Sequence, residues 1–257
     1  MKNNNLDSSI SMVVPVYNEK DNIKIFAEIL KEKFKYPIKK VFIVYDFDED
    51  NTLQPLEEIR KIYPEFEPLK NKYGRGAFNA IKTGLDAVDT EYVIVTNADM
   101  SDDPETMNKM LEIAEREGCV IVCGARYMKG GALIGGPFIK GLMSRMACLT
   151  MYYIAGVPTH DATNSFKLYR KSFLNTMNIE SSGGFELGLE MTVKAYELGL
   201  KIKEVPTVWH DRTAGTSRFR VIAWMPSYLK WYIRAFCVRL KHLLGMKSWK
   251  GRTNCEA

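Results

Sequence analysis

Four runs in the first half of the chain are apolar at nearly every position: residues 11–16 (SMVVPV), 40–44 (KVFIV), 92–96 (YVIVT) and 119–123 (CVIVC). Their shortness and β-branched content predict strands. Between them, apolar residues recur at helical spacing over about 21–34, 53–62, 76–88 and 104–117. Strands that are apolar on both faces and separated by helices belong to an α/β fold, a mainly parallel sheet sandwiched by helices. Ligands of such sheets bind beyond the carboxyl ends of the strands. Asn18 and Glu19, Asp46 and Asp48, Asn97 and Asp99, and Arg126 all fall there.

The second half is less regular. A loop rich in glycine (Gly130, Gly131, Gly135, Gly136, then Pro137) leads into an apolar helical stretch over 138–155. A polar segment (THDATNSFK, 159–167) follows, then a helix opened by GGFELGLEM (183–191) and a strand over 203–208. No repeat interrupts the pattern, which predicts one domain, residues 10–219, followed by an extension, 220–257.

Charge changes the picture of that extension. The net charge of +5 combines 26 Lys/Arg and 30 Asp/Glu in residues 1–211 with 10 and 1 in residues 212–257. Such a basic segment implies an anionic partner. Pro226 is expected to begin a helix reaching about Gly245, with Tyr228, Leu229, Tyr232, Ile233, Phe236, Leu240 and Leu243 on one broad face. Lys230, Arg234 and Lys241 lie opposite, and Arg239 breaks the pattern. At about 3 kcal/mol per mid-bilayer charge, the segment does not span a membrane. It reads as a membrane-surface anchor, or as a helix packed on the preceding domain. Its aromatics lie away from its cations, which argues against nucleic acid. No basic stretch followed by an apolar run opens the chain, so no signal peptide is expected. The five scattered cysteines (Cys119, Cys123, Cys148, Cys237, Cys255) read as reduced core thiols, with Cys119 and Cys123 on the same side of one strand.

The densest chemistry is NADMSDDP, residues 97–104, directly after an expected strand. Residues two apart on extended chain point the same way, so Asn97 and Asp99 both face the cleft. Two oxygen donors suit a hard divalent cation that keeps positions open for phosphates. Asp102 or Asp103, before Pro104, is expected to cap the next helix. His160 and His210 read as hydrogen-bonding residues of polar loops. His210, beside Asp211 and Arg212, is the better candidate metal ligand.

VPVYNE (14–19), VYDFDEDNT (44–52), NKYGRGAFNAIKTG (71–84), the Asp99 motif and GARYMKGG (124–131) follow one another in order. DATNSFKLYRK (161–171), GGFELGLEM and EVPTVWHDRTAGTSRF (204–219) complete the series. Over about residues 10–219 this series resembles the family-2 glycosyltransferases, closest to the dolichol- and polyprenyl-phosphate sugar synthases. The resemblance implies a GT-A fold. It implies a nucleoside pocket lined by Pro15, Tyr17 and Glu19, with Asp46 or Asp48 accepting from the base or ribose, and Lys72 on phosphate. Asn97 and Asp99 would hold Mg2+ or Mn2+. Arg126, Lys140, Ser144, Arg212 and Arg218 would bind the acceptor phosphate, and Asp99, Arg126 and Arg212 would carry catalysis.

Four positions depart from the family pattern: Tyr45-Asp46-Phe47-Asp48 stands for Asp-Asp-x-Ser, Asn97 for aspartate, Lys140 for arginine and Gly188 for glutamine. The implied reaction is inverting, metal-dependent transfer of a hexose from a UDP- or GDP-linked donor to a lipid phosphate. It would take place at the cytoplasmic face of a membrane, on a peripheral protein. The alternatives are a sugar-hydroxyl acceptor, with Glu186, Glu190 or Asp161 as base, and a non-catalytic nucleotide-sugar binding protein.

Overall fold

The first apolar run forms β1 (Ile10–Pro15), and α1 (Lys20–Lys33) carries the chain back to β2 (Ile38–Tyr45). The computed structural model describes residues 9–183, 186–210 and 221–245. α2 (Leu53–Ile62), β3 (Phe66–Lys70), α3 (Ala77–Ala87), β4 (Tyr92–Val95), α4 (Pro104–Glu117) and β5 (Ile121–Ala125) continue the alternation. β6 (Ala132–Ile134), α5 (Phe138–Tyr153), β7 (Lys167–Arg170), α6 (Lys171–Thr176), α7 (Leu187–Glu197), β8 (Ile202–Pro206), β9 (Val208–His210) and α8 (Val221–Leu243) complete the described chain.

Seven strands make one sheet in the order β3-β2-β1-β4-β7-β5-β8. All pairings are parallel except those of β7, which runs antiparallel to both β4 and β5. Lys167, the first residue of β7, therefore pairs with Val95, the last residue of β4, and with Cys123 in β5. The segment that feeds β7 is thus delivered to the ligand-binding edge of the sheet. β6 and β9 form a separate two-stranded ribbon.

Helices cover both faces. Ile23, Phe26 and Leu30 of α1, Leu56 of α2 and Met107, Met110 and Leu111 of α4 pack on one side. Phe78, Ile81 and Leu85 of α3 and Leu187 and Met191 of α7 pack on the other. α3 lies so close to β1 that a Cβ at Gly84 would come within 2.3 Å of Val13 Cγ1, so only glycine fits. A third cluster joins α5, α7 and α8 through Met151, Leu189, Val193, Trp231 and Ala235.

Three expectations are corrected. β5 starts at Ile121, after the left-handed Gly118 that ends α4, so Cys119 precedes the strand. Cys119 packs into the first core and Cys123 into the second, on opposite faces of the sheet. Cys237 is exposed on α8 rather than a core thiol; Cys119, Cys123 and Cys148 are buried and free, and Cys255 lies outside the described residues. α8 begins at Val221, with Pro226 inside it, where the missing N–H forgoes one helical hydrogen bond.

α8 also packs through a stripe outside the apolar face expected of it. Trp231, Ala235 and Val238, on the side of Lys230 and Arg234, are buried, whereas Leu229, Ile233, Leu240 and Leu243 of the expected face are exposed. The Trp231 indole N–H donates to Ser181 Oγ (3.0 Å). Lys230 and Arg234, expected on a free basic face, are paired with Glu180 (3.0 and 3.2 Å), and Arg234 also with Glu197 (2.7 Å).

Candidate functional site

The turn after β1 is fastened from below. The Asn18 N–H, at φ 56°, donates to both carboxylate oxygens of buried Asp50 (3.1 Å each), and the Glu19 N–H to Thr52 Oγ1 (2.9 Å). Pro15 ends β1, and the half-exposed Tyr17 ring stands 5.3 Å from Phe47. The Arg75 guanidinium lies over the other ring, 5.3 Å from its centroid. Aromatic faces with a cation beside them suit a flat heterocycle. Phe47 and Arg75 lie inside two of the quoted motifs, but no sequence signal assigned either of them a role.

Asp46 accepts from Asn71 Nδ2 (2.8 Å) and from the N–H of Gly76 (2.9 Å), whose φ of 122° favours glycine. Its carboxylate braces the loop that opens α3. Asp48 is exposed and ion-paired to Lys70 (2.6 Å), and Lys72 to Asp86 (3.2 Å).

At the end of β4 the two aspartates expected to cap α4 divide their work. Asp103 is the cap, accepting from the Glu105 N–H (3.1 Å). Asp102 is buried and accepts from the Asn97 N–H (3.1 Å), Asn97 Nδ2 (3.2 Å) and Thr96 Oγ1 (3.2 Å). Burial, with the Asp99 charge as a second cause, pushes its carboxyl up to about 7. Its Oδ1 has no partner. The Asn97 amide nitrogen is thereby committed to Asp102, leaving the carbonyl oxygen on the other side. Asp99 Oδ1 accepts from the Ser101 N–H (3.1 Å) across a tight turn at Met100 (φ 60°). Asn97 and Asp99 line one cavity, and their oxygens fit the donor chemistry of Mg2+ or Mn2+. Among the described residues no three His, Cys, Asp or Glu side chains gather as a metal cluster. His160 binds Glu204 through Nδ1 (2.6 Å) and stacks on Tyr152, a hydrogen-bonding role; His210 is exposed on β9.

That cavity, about 600 Å³, is lined also by Arg126, Lys140 and Ser144, and beyond them by Met143, Met146, Leu229 and Tyr232. It therefore brings three of the expected acceptor residues together with the two expected metal donors. Arg126 follows β5 and is nearly enclosed. Its Nε and Nη2 donate to Asp161 Oδ2 (2.6 Å) and Oδ1 (3.0 Å), and its backbone N–H to Oδ2 (3.0 Å). Burial works against the Asp161 charge, but Arg126 outweighs it and holds the carboxyl below its usual range. Ser144 Oγ is 3.1 Å from Thr163 Oγ1. Arg212 and Arg218, with Asp211, lie outside the described residues.

Beneath the segment 161–165, fully buried Lys167 donates to the carbonyl oxygens of Ala162 (3.1 Å) and Asn164. A Cβ at Gly188 would stand 3.1 Å from Asn164 O and 3.4 Å from Lys167 Nζ. Glu190 is a brace: it accepts from the N–H groups of Glu180 (2.7 Å) and Ser181 (2.9 Å) and pairs with Lys194 (2.6 Å). Glu186 has a buried Oε2 without a partner, and burial pushes its carboxyl up.

The family described as glycosyl transferase family 2 matches residues 11–177, more than half of the chain. A dolichol-phosphate mannosyltransferase of Pyrococcus furiosus is 23% identical over 246 residues, 94% of this chain. This chain spans only 64% of that relative's length. A polyprenol monophosphomannose synthase of Mycolicibacterium smegmatis is 24% identical over 80% of this chain and 79% of its own. Among solved structures, glucosyl-3-phosphoglycerate synthase of Mycobacterium tuberculosis with Mn2+, UDP and glucosyl-3-phosphoglycerate superposes with a TM-score of 0.62. It is 14% identical over 95% of this chain and 82% of its own. The same enzyme with Mg2+ and UDP gives a TM-score of 0.63 at 16% identity over 91% and 80%. These likenesses establish the GT-A fold.

Proposed function

The chain belongs to glycosyl transferase family 2, and on that footing we propose that it moves a hexose from a nucleotide sugar to a polyprenyl or dolichyl phosphate. One observation carries the reading. A single cavity is lined by Asn97 and Asp99, by the cations Arg126 and Lys140, and by an apolar stretch of Met143, Met146, Leu229 and Tyr232. A diphosphate, a second phosphate and a hydrocarbon chain call for such a combination. The relatives named for dolichol and polyprenol phosphates support the same choice.

In this reading Tyr17, Phe47 and Arg75 receive the base of a UDP- or GDP-linked donor, while Pro15, Glu19 and the Asp46 loop shape the nucleoside site. Asn97 and Asp99 hold Mg2+ or Mn2+, which when bound neutralises charge growing on the leaving diphosphate. An acceptor phosphate oxygen attacks the anomeric carbon from the side opposite the leaving group. The bond to the donor phosphate breaks with its electron pair, and the configuration inverts. The acceptor is already an anion, so no strong base is needed; Arg126, Lys140, Ser144, Arg212 and Arg218 position it. The catalytic unit is residues 10–219. The protein works peripherally at the cytoplasmic face of a membrane, with 220–257 contributing to attachment.

A second reading, a sugar-hydroxyl acceptor, draws on the unpartnered oxygen of Glu186, a carboxyl that burial makes more basic. Asp161 and Glu190 are committed to Arg126 and Lys194 and serve poorly as bases. The deciding experiment screens nucleotide sugars against purified protein with Mn2+ and a short polyprenyl phosphate, reading the mass of the glycolipid. A sugar-phosphate lipid is the expected product. Absence of any such mass across UDP and GDP donors overturns the proposal.

A further inference from the structure

The helices that flank the cavity carry apolar side chains that nothing in the described chain covers. On α5, Phe138 and Ile139 are 80% and 70% exposed, and Leu142, Met143 and Met146 are about half exposed along the same side. On α8, Met225, Leu229, Ile233 and Leu240 form a second exposed stripe. Both stripes reach the same opening, because Met143, Met146, Met225 and Leu229 all line the cavity. A contiguous apolar surface of this kind marks an interaction site.

Charge identifies what the surface meets. The two segments that supply it, residues 118–160 and 221–245, contain no Asp or Glu at all. They carry Arg126, Lys129, Lys140 and Arg145 in the first, and Lys230, Arg234, Arg239 and Lys241 in the second. A second copy of this chain would bring the same sign of charge to the contact and be repelled. An anionic, apolar partner fits both properties.

α8 is also turned so that its outer stripe is presented. Its Lys230 and Arg234 are drawn inward by Glu180 and Glu197, and Trp231 seals the inner face. The helix is not a free anchor with an unengaged basic face. It is a fixed wall that holds Leu229, Ile233 and Leu240 outward.

We infer that the rim of the cavity is a membrane-docking face, in which the exposed side chains of α5 and the outer stripe of α8 enter the headgroup region of an anionic bilayer. Among the described residues no helix is long and apolar enough to cross a membrane, so insertion is at surface depth. The inference deepens the proposed function, since a lipid phosphate would then rise from the bilayer directly into the cavity. Its test does not depend on sugar transfer.

The full chain is mixed with sedimentable vesicles of phosphatidylglycerol and phosphatidylcholine that contain no acceptor lipid, and the bound fraction is measured at low and high salt. The wild type should bind, more weakly to vesicles of phosphatidylcholine alone, and should keep part of its binding at high salt. Phe138→Ser with Ile139→Ser, and separately Ile233→Ser with Leu240→Ser, should each weaken binding about tenfold or more. All four positions are exposed, and circular dichroism and nucleotide binding should match the wild type. Wild-type protein that ignores vesicles at low salt, or that merely self-associates, overturns the inference. So do serine pairs that bind like wild type, because charge alone would then be responsible. If vesicle binding behaves as expected while no glycolipid forms, the proposed function fails and the docking face stands.

Discussion

Asp161 holds Arg126 at three points, accepting from its Nε, its Nη2 and its backbone N–H at 2.6–3.0 Å. The guanidinium is thus fixed in orientation at the cavity that Arg126 lines, a prepared geometry for a phosphate. Arg126→Ala should lower kcat/KM for the acceptor about tenfold or more, the loss of one charge-assisted contact. Donor binding measured without acceptor should hardly change. An equal loss of donor affinity would place the arginine at the nucleotide instead. Urea unfolding should show an added cost of about 3–5 kcal/mol, because Asp161 is left buried and unpaired.

Asp99→Ala should abolish turnover and Mn2+ binding while leaving the unfolding midpoint within a degree or two. Its carboxylate supports a surface turn through Ser101 rather than the core. Asn97→Asp should keep activity and tighten Mn2+ binding, read by calorimetry, since it restores a negative charge among the donors. Asp102, already pushed up to about 7, takes the proton that replaces the lost amide donor. Unchanged turnover of Asp99→Ala at saturating donor would remove the metal role.

Lys167 and Gly188 should behave as a coupled pair. Gly188→Gln alone forces a side chain against Asn164 O and the Lys167 ammonium and should destabilise the protein. Lys167→Met alone leaves the Ala162 and Asn164 carbonyls without their donor, at about 1–3 kcal/mol each. The double variant should be more stable than the sum of the two single losses, because glutamine can donate to the same carbonyls. Additive losses in thermal unfolding would show that the two positions do not share that space.

Glu180 ties α8 to the domain, and its carboxyl is pulled down to about 2, first by Lys230 and then by Lys194, against burial. A depressed carboxyl stabilises the fold above its unfolded value near 4.5 and loses that contribution as pH falls through about 2. Glu180→Gln should lower Tm by about 2–4 °C at pH 7, in keeping with a partly exposed ion-pair network. The difference from wild type should shrink below pH 4.5. A constant difference down to pH 2 would show that the charge contributes nothing.

The alternation of strands and helices up to β5 was legible because those strands are apolar on both faces and bounded by turn residues. β3 escaped, since FEPLK mixes Glu67 and Pro68 into a short run; an edge strand tolerates that proline. β7 escaped because Lys167 begins it, and a lysine at a fully buried strand position has no signature in hydropathy. In the site, Asn97 and Asp99 followed from strand-end position, and the cavity unites them with Arg126, Lys140 and Ser144. The Arg126–Asp161 grip joins residues 35 apart, the Tyr17–Phe47–Arg75 group spans three loops, and neither leaves a local pattern. On α8 the helical wheel identified an apolar face, but the fully buried stripe of Trp231, Ala235 and Val238 runs outside it, next to Lys230 and Arg234.

The reversed strand β7 has a consequence for how the protein is made. β4 and β5 do not pair with each other; β7 lies between them, so residues 167–170 join a four-stranded half of the sheet to the β5–β8 half. A ribosome therefore produces β4 and then works through residues 96–166 before its neighbour exists. At about 5–20 residues per second that interval is roughly 4–14 s. Through it the edge of β4, apolar on both faces, stands open to any passing strand. A nascent chain halted before Arg170 should depend on chaperones and aggregate without them, whereas one extended past β8 should not.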